Sequence, residues 1–83
     1  MSGVRSEPAE VWLIDGRPAR FVWRERLYTV LSIVERPAAE SEEPVRWRCW
    51  RVTAAAGRNV PPSTFRLCQD GETDRWQLTR GNR

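Results

Sequence analysis

The sequence predicts an all-β fold, a single small antiparallel meander of about five to six strands curled into a partly open barrel. Short runs rich in β-branched and aromatic residues recur along the chain, with turn signals at intervals of roughly 8–12 residues. No segment keeps the 3.6-residue apolar period of an amphipathic helix. At 83 residues the chain forms one domain, and curling the sheet protects the edges that short strands expose.

Large aromatic side chains are expected to form most of the core. A domain of this size buries only about 60–65% of the surface that its unfolded chain exposes, and one aromatic side chain buries about 150–250 Å². The sequence supplies five tryptophans, two phenylalanines and one tyrosine. Cys49 and Cys68 form no CxxC pair, and no histidine is present to complete a zinc site. We therefore expect no metal and no disulfide, with both thiols buried as small apolar groups.

Polar segments mark the limits of the domain. Residues 1–9 are predicted to be a disordered N-terminal tail and residues 81–83 a short C-terminal tail, so that the β domain spans residues 10–80. Within it, residues 35–44 carry four glutamates and two prolines but no large apolar side chain. This segment is predicted to be a mobile acidic loop.

The longest apolar run, residues 27–34, is expected to be the central strand. It follows a hairpin whose arms are residues 11–14 and 21–23, joined at the Asp15-Gly16 turn signal. The chain then reverses again at Arg24-Glu25-Arg26. Alternation puts apolar side chains on both faces of the long strand: Tyr28, Val30 and Val34 on one, and Leu27, Leu31 and Ile33 on the other. Apolar groups on both faces indicate a strand that is covered on both sides.

Three further strands complete the predicted meander. They are expected at residues 45–54, 65–68 and 75–79 because each run combines β-branched or aromatic residues with flanking turn signals. The last two strands are joined by a hairpin loop at residues 70–74. Asp70 is expected to serve this turn through its side-chain oxygen.

The residue types that the chain lacks argue against catalysis. Without histidine it lacks the commonest general base near neutral pH, and without lysine it cannot form a Schiff base. It contains neither a phosphate-cradling glycine loop nor a nucleophile elbow. We therefore predict a non-enzymatic protein that needs no cofactor. An enzyme that uses carboxylates alone, such as Asp70 and Asp74, is the remaining catalytic alternative.

Net charge and hydropathy limit the binding partners and the cellular location that can be expected. All 14 basic residues are arginine, and the net charge of +3 permits contact with nucleic acid without requiring it. The first residues lack the apolar region of a signal peptide, and no apolar run approaches the roughly 20 residues that span a bilayer. A cytoplasmic location without membrane association is expected.

The turn after Trp23 is the first candidate binding site. Arg24 and Arg26 flank this turn beside the aromatic residues Trp23 and Tyr28. In one interpretation the arginines bind phosphates while an exposed ring stacks on a base. In the other, both rings face the core and the arginines are solvated, with Glu25 pairing one of them.

The strand that contains residues 46–51 is the second candidate. Alternation puts Arg46, Arg48 and Trp50 on one face and Trp47, Cys49 and Arg51 on the other. Val52 extends the Trp50 face, which is therefore the predicted core face, with Arg46 and Arg48 near the strand end beyond the barrel wall. Trp47 and Arg51, facing outward, would form a contact surface for single-stranded nucleic acid or a protein partner. Alternatively, the acidic loop covers Trp47.

Several short motifs follow one another between about residues 17 and 80. They are F-x-W-R-x-R-x-Y-x-V at 21–30, W-R-V at 50–52, G-R at 57–58, F-R-L at 65–67, D-G at 70–71 and W-x-L-x-R at 76–80. Their order resembles a family of small bacterial domains with no assigned biochemical function. Family members usually carry glycine where Glu25 stands here, and a double-tryptophan segment that is reduced here to the acidic loop followed by Trp47.

Members of that family look like companions of the Y-family (translesion) DNA polymerase machinery, by gene fusion or gene neighbourhood. The resemblance therefore implies a DNA-repair context, with a polymerase component as a partner. The leading hypothesis is a non-enzymatic β-barrel module that binds single-stranded DNA or RNA, or a DNA-repair partner. Its candidate binding residues are Arg24, Arg26, Arg46, Trp47, Arg48 and Arg51. The alternative is a protein-binding adaptor or a homodimerising domain with no nucleic-acid contact.

Overall fold

Six antiparallel strands make up the part of the chain that the structure, a computed structural model, describes: residues 6–36 and 47–80. They are β1 (Glu7–Ile14), β2 (Arg17–Trp23), β3 (Arg26–Glu35), β4 (Trp47–Ala55), β5 (Ser63–Asp70) and β6 (Trp76–Arg80). Each strand pairs with the next in sequence, and β1 also pairs with β6. The predicted all-β antiparallel meander is confirmed, and its ring closes completely.

Closure depends on residues that the sequence assigns to the N-terminal tail. Glu7 pairs with Leu78 and Ala9 with Trp76, so the barrel begins at residue 7 and not at residue 10. This pairing gives β6 its second neighbour and removes the edge that a partly open barrel would keep. The rest of the predicted tails, residues 1–5 and 81–83, and residues 37–44 of the predicted acidic loop lie outside the described residues. Glu35, assigned to that loop, ends β3.

Two-residue turns join the first three strands. Asp15 and Gly16 have φ of 55° and 76°, and Arg24 and Glu25 have φ of 54° and 66°. Positive φ at both central residues is the geometry that matches the right-handed twist of a hairpin. The first turn uses the residue types that this geometry favours, whereas the second places two side-chain-bearing residues in the left-handed region.

Aromatic rings fill the barrel, as predicted. The ring of Phe21 lies 5.0 Å from that of Tyr28 and 5.2 Å from that of Phe65. Trp23 contacts Phe65 edge-to-face with 5.5 Å between the ring centroids. In the same core, the rings of Trp50 and Trp76 lie 5.4 Å apart. Three of the five tryptophans are buried: Trp23, Trp50 and Trp76.

The prediction that β3 is covered on both faces is wrong. Its register against β4 shifts at Leu31 and again at Val34, where β3 carries one extra residue each time. These bulges turn Ile33 inward beside Val30, and they leave Leu31 and Val34 on the outer face, 56% and 59% exposed. Strict alternation therefore fails because two residues of the strand have no opposite residue on β4.

Cys49 and Cys68 form a disulfide, which corrects the expectation of two buried free thiols. They are directly opposite each other in the β4–β5 register, with 4.0 Å between their Cα atoms. Both side chains lie on the outer face of the barrel and are half-buried. The separation along the chain hid this proximity, which becomes visible only once β4 and β5 are known to be neighbours.

Candidate nucleic-acid interface

The predicted binding residues lie on two parts of the barrel wall. Arg24 and Arg26 flank the β2–β3 turn, whereas Trp47, Arg48 and Arg51 lie on β4. In the closed barrel, β4 is separated from β2 by β3 on one side and by β1, β6 and β5 on the other. Ser6, which precedes β1, borders the same groove as Trp47.

At the β2–β3 turn, Arg24 is held by the first residue of β1. Its Nη2 donates to Oε2 of Glu7 over 2.8 Å and its Nε to Oε1 over 3.3 Å. The guanidinium also lies over the Trp23 ring, 4.5 Å from its centroid. Hydrogen bonding to Glu7, and then the negative charge of Glu7, raise the pKa of Arg24. The charge of Arg24 is thus already paired with that of Glu7.

The same carboxylate holds the neighbouring tryptophan. Trp23 Nε1 donates to Oε1 of Glu7 over 3.0 Å, and the Trp23 side chain is only 6% exposed. Tyr28 is half-buried against the same core. Of the two interpretations of this turn, the one in which both rings face the core is therefore confirmed. Its expected ion pair is corrected, because Glu7 and not Glu25 is the partner of Arg24.

The faces of β4 are those that the sequence predicts. Trp50 and Val52 point inward and are buried, whereas Trp47 and Arg51 are exposed on the outer face. Arg48 shares the inward parity of Trp50, but it lies at the start of the strand and is exposed. The remaining predicted residue of this strand, Arg46, lies outside the described residues.

A second arginine faces Arg51 across the β4–β5 pair. Arg66 of β5 is directly opposite Arg51 in the register, and both side chains are exposed. Facing positions on one side of a sheet have Cβ atoms about 4.5–5.5 Å apart, and like charges placed there are destabilising. Arg51 also pairs with Glu35, with 3.7 Å between Nε and Oε1. Two exposed arginines at facing positions, with Glu35 beside one of them, thus lie on this part of the outer face.

Trp47 and Arg66 border one outer groove of about 390 Å³. The other lining residues supply hydroxyl groups, an amide and the disulfide: Ser6, Cys49, Cys68, Gln77 and Thr79. The hydroxyl groups of Ser6 and Thr79 lie within 3.2 Å of each other, which links β1 to β6 at the groove wall. The groove thus presents an aromatic side chain, a cation and neutral hydrogen-bonding groups together.

Arg66 is the residue of this site that the sequence did not predict. The sequence predicts a strand at residues 65–68, but nothing in it indicates which strand lies beside this one. The F-R-L alternation does place Arg66 on the outer face, since Phe65 and Leu67 are buried. Only the β4–β5 register then places it opposite Arg51.

The carboxylate of Asp70 has a structural task in the last hairpin. Asp70 is 6% exposed, and its Oδ1 accepts the backbone N–H of Glu72 over 2.9 Å. Its backbone carbonyl accepts the N–H of Asp74 over 2.7 Å. The expectation that Asp70 serves this turn through its side-chain oxygen is confirmed.

No family model, curated protein or solved structure matches the chain. The resemblance to domains associated with Y-family polymerases thus stays a prediction. Over residues 6–36 and 47–80, no helix is long and apolar enough to cross a membrane. Within the same residues, no group of three or more acidic or cysteine side chains is placed to hold a metal ion.

Proposed function

We propose that this protein is a non-enzymatic β-barrel module that binds single-stranded nucleic acid on the outer face of β4 and β5. The observation that carries the proposal is the facing pair Arg51 and Arg66, next to the groove that Trp47 borders. A positively charged track combined with an aromatic platform is the arrangement by which small β domains bind single strands without reading their sequence.

The arginine pair supplies the phosphate contacts. Two facing guanidinium groups repel each other in the free protein, and a phosphate between them replaces that repulsion with charge-assisted hydrogen bonds. The competing partner of Arg51 is Glu35, whose side chain is 65% exposed. An exposed ion pair of this kind is worth only about 0–1 kcal/mol, so Arg51 can exchange Glu35 for a phosphate at little cost.

Trp47 supplies the stacking surface. Its side chain is 38% exposed at the edge of the groove, whereas the ring of Trp23 is buried and covered by Arg24. Stacking of one base on an aromatic side chain is worth about 1–3 kcal/mol. Because every base has a π-face, this contact tolerates any sequence. The β4 candidate is therefore favoured over the β2–β3 turn.

The resemblance to domains that accompany translesion polymerases adds a context for this activity. Such machinery works on DNA whose template strand is single-stranded, so a module that holds a single strand would serve it directly. A polymerase component remains the proposed protein partner, and the choice of this partner rests on the resemblance alone.

Equilibrium titration of a labelled single-stranded oligonucleotide tests the proposed function. Fluorescence anisotropy at low salt should show saturable binding, which weakens at physiological salt because phosphate contacts release counterions. Trp47→Ala should weaken binding by roughly 5- to 150-fold, the equivalent of one stacked base. Trp12→Ala is the matched control, because Trp12 is exposed on a different part of the barrel, and it should leave the affinity unchanged. Absence of binding at low salt would rule out the proposal.

A further inference from the structure

The disulfide lies at the centre of the proposed binding surface. Cys49 follows Trp47 by two residues on β4 and precedes Arg51 by two, so these three side chains share the outer face. Cys68 has the same relation to Arg66 on β5. The bond between the two Sγ atoms therefore crosses the sheet between the aromatic side chain and the facing arginine pair.

The bond is accessible from the groove, and backbone pairing also joins the two strands that it links. Both cysteines line the groove and are half-buried. The strands β4 and β5 pair at eight consecutive positions, from Trp47 opposite Asp70 to Ala54 opposite Ser63. A dithiol reductant can thus reach the sulfur atoms while the backbone hydrogen bonds hold the strands together. In the cytoplasmic location that the sequence predicts, disulfides are rare, and those that form are usually transient or redox-sensing.

We propose that the Cys49–Cys68 bond is a reversible modification site, whose reduction by a dithiol weakens single-strand binding. This inference rests on the proposed function, because the property that it regulates is the phosphate site at Arg51 and Arg66. A thiolate of the dithiol attacks one Sγ, forms a mixed disulfide and releases the other cysteine. The second thiol of the reductant then displaces the remaining cysteine and leaves as part of a disulfide. Two electrons and two protons thus pass from the dithiol to the protein.

Reduction changes the charge of the groove. The disulfide is neutral, whereas the positive charge of a neighbouring arginine favours the thiolate form of a free cysteine. Diagonal positions on adjacent strands lie about 7–8 Å apart, within reach of long side chains, so Arg51 can approach Cys68 and Arg66 can approach Cys49. Among the described residues that line the groove, none is acidic. A thiolate there pairs with one guanidinium group and competes with a phosphate for it.

Alkylation of the native protein, followed by mass spectrometry, tests whether the bond can be exchanged. After treatment with a dithiol reductant, both cysteines should react with the alkylating reagent without denaturant. Tryptophan fluorescence should remain that of the folded barrel, and an oxidised dithiol should restore the bond. Labelling that requires denaturant, or loss of the folded fluorescence spectrum on reduction, would overturn the inference whatever the binding titration shows.

Titration of a labelled single-stranded oligonucleotide with oxidised and with reduced protein measures the regulation. Loss of one phosphate contact should weaken binding about fivefold at about 0.1 M salt and make the slope of log Kobs against log salt concentration shallower by about 0.7. The control is Cys49→Ser/Cys68→Ser, whose affinity should be the same with and without the reductant, because its hydroxyl groups are neither reduced nor ionised.

Three results would overturn the inference while leaving the proposed function intact. They are equal binding by oxidised and reduced wild-type protein, weaker binding with an unchanged salt slope, and an equal effect of the reductant on the serine variant. Absence of binding in both redox states would instead refute the proposed function itself, and the regulation with it.

Discussion

The β2–β3 turn should become more stable when Glu25 is replaced by glycine. Glu25 has a φ of 66°, and the left-handed region costs a residue with a Cβ atom about 1–2 kcal/mol. Glycine avoids that cost but loses about 0.5–1 kcal/mol through its greater freedom in the unfolded chain. The balance predicts that Glu25→Gly raises the free energy of unfolding by about 0.5–1 kcal/mol.

Urea denaturation followed by tryptophan fluorescence measures this change, and thermal unfolding should show a midpoint that is higher by about 2–8 °C. Glu25→Ala is the matched control, because it removes the same side chain without giving the backbone the freedom of glycine. It should leave the stability nearly unchanged. Arg24→Gly relieves the same type of strain at a φ of 54° but loses the contacts with Glu7 and Trp23. It should therefore not stabilise the protein as Glu25→Gly does.

A stability decrease in Glu25→Gly, or an equal increase in Glu25→Ala, would refute the backbone argument. The first result would mean that Glu25 makes a stabilising contact in the folded protein. The second would mean that the glutamate side chain, and not the φ of its backbone, opposes folding.

Two further stability predictions follow from contacts that hold the strands together. Reduction of the Cys49–Cys68 disulfide should lower the free energy of unfolding by about 3 kcal/mol, since the bond closes a loop between residues 19 apart. Urea denaturation with and without a dithiol reductant measures this loss. The control is a Cys49→Ser/Cys68→Ser variant, whose stability should not depend on the reductant. Glu7→Ala should cost about 1–3 kcal/mol, because it leaves the part-buried N–H of Trp23 without its acceptor. Glu7→Gln keeps an acceptor oxygen and should cost less; equal losses in the two variants would contradict this explanation.

The fold class was predictable from the sequence because its signals are local. Turn residues such as Asp15-Gly16 and alternating runs such as residues 76–80 act over a few neighbouring positions. The inward face of β4 was likewise predictable, since Trp50 and Val52 follow the two-residue period. The sequence allows two interpretations of Trp23, because a small domain needs its aromatic residues inside but the local pattern does not require it.

Features that depend on the register of separate strands were not predictable. The disulfide requires Cys49 and Cys68 to face each other across β4 and β5, and no local pattern in the sequence reports that pairing. The same holds for Arg66 beside Arg51 and for Glu7 beside Arg24. The bulges at Leu31 and Val34 turn the side chain of Ile33 toward the core. The sequence does not predict these bulges, because all three residues are apolar and suit a regular strand.

The salt dependence of single-strand binding tests the central claim most directly. For single strands, log Kobs falls with log salt concentration by about 0.7 for each phosphate that is neutralised. An Arg51→Gln/Arg66→Gln variant should therefore bind more weakly and show a slope that is shallower by about 1.4. An Arg17→Gln/Arg75→Gln variant changes the net charge equally at exposed positions outside this pair and should keep the wild-type slope. Equal changes of slope in both variants would contradict a phosphate site at the facing arginines and would indicate a general effect of charge.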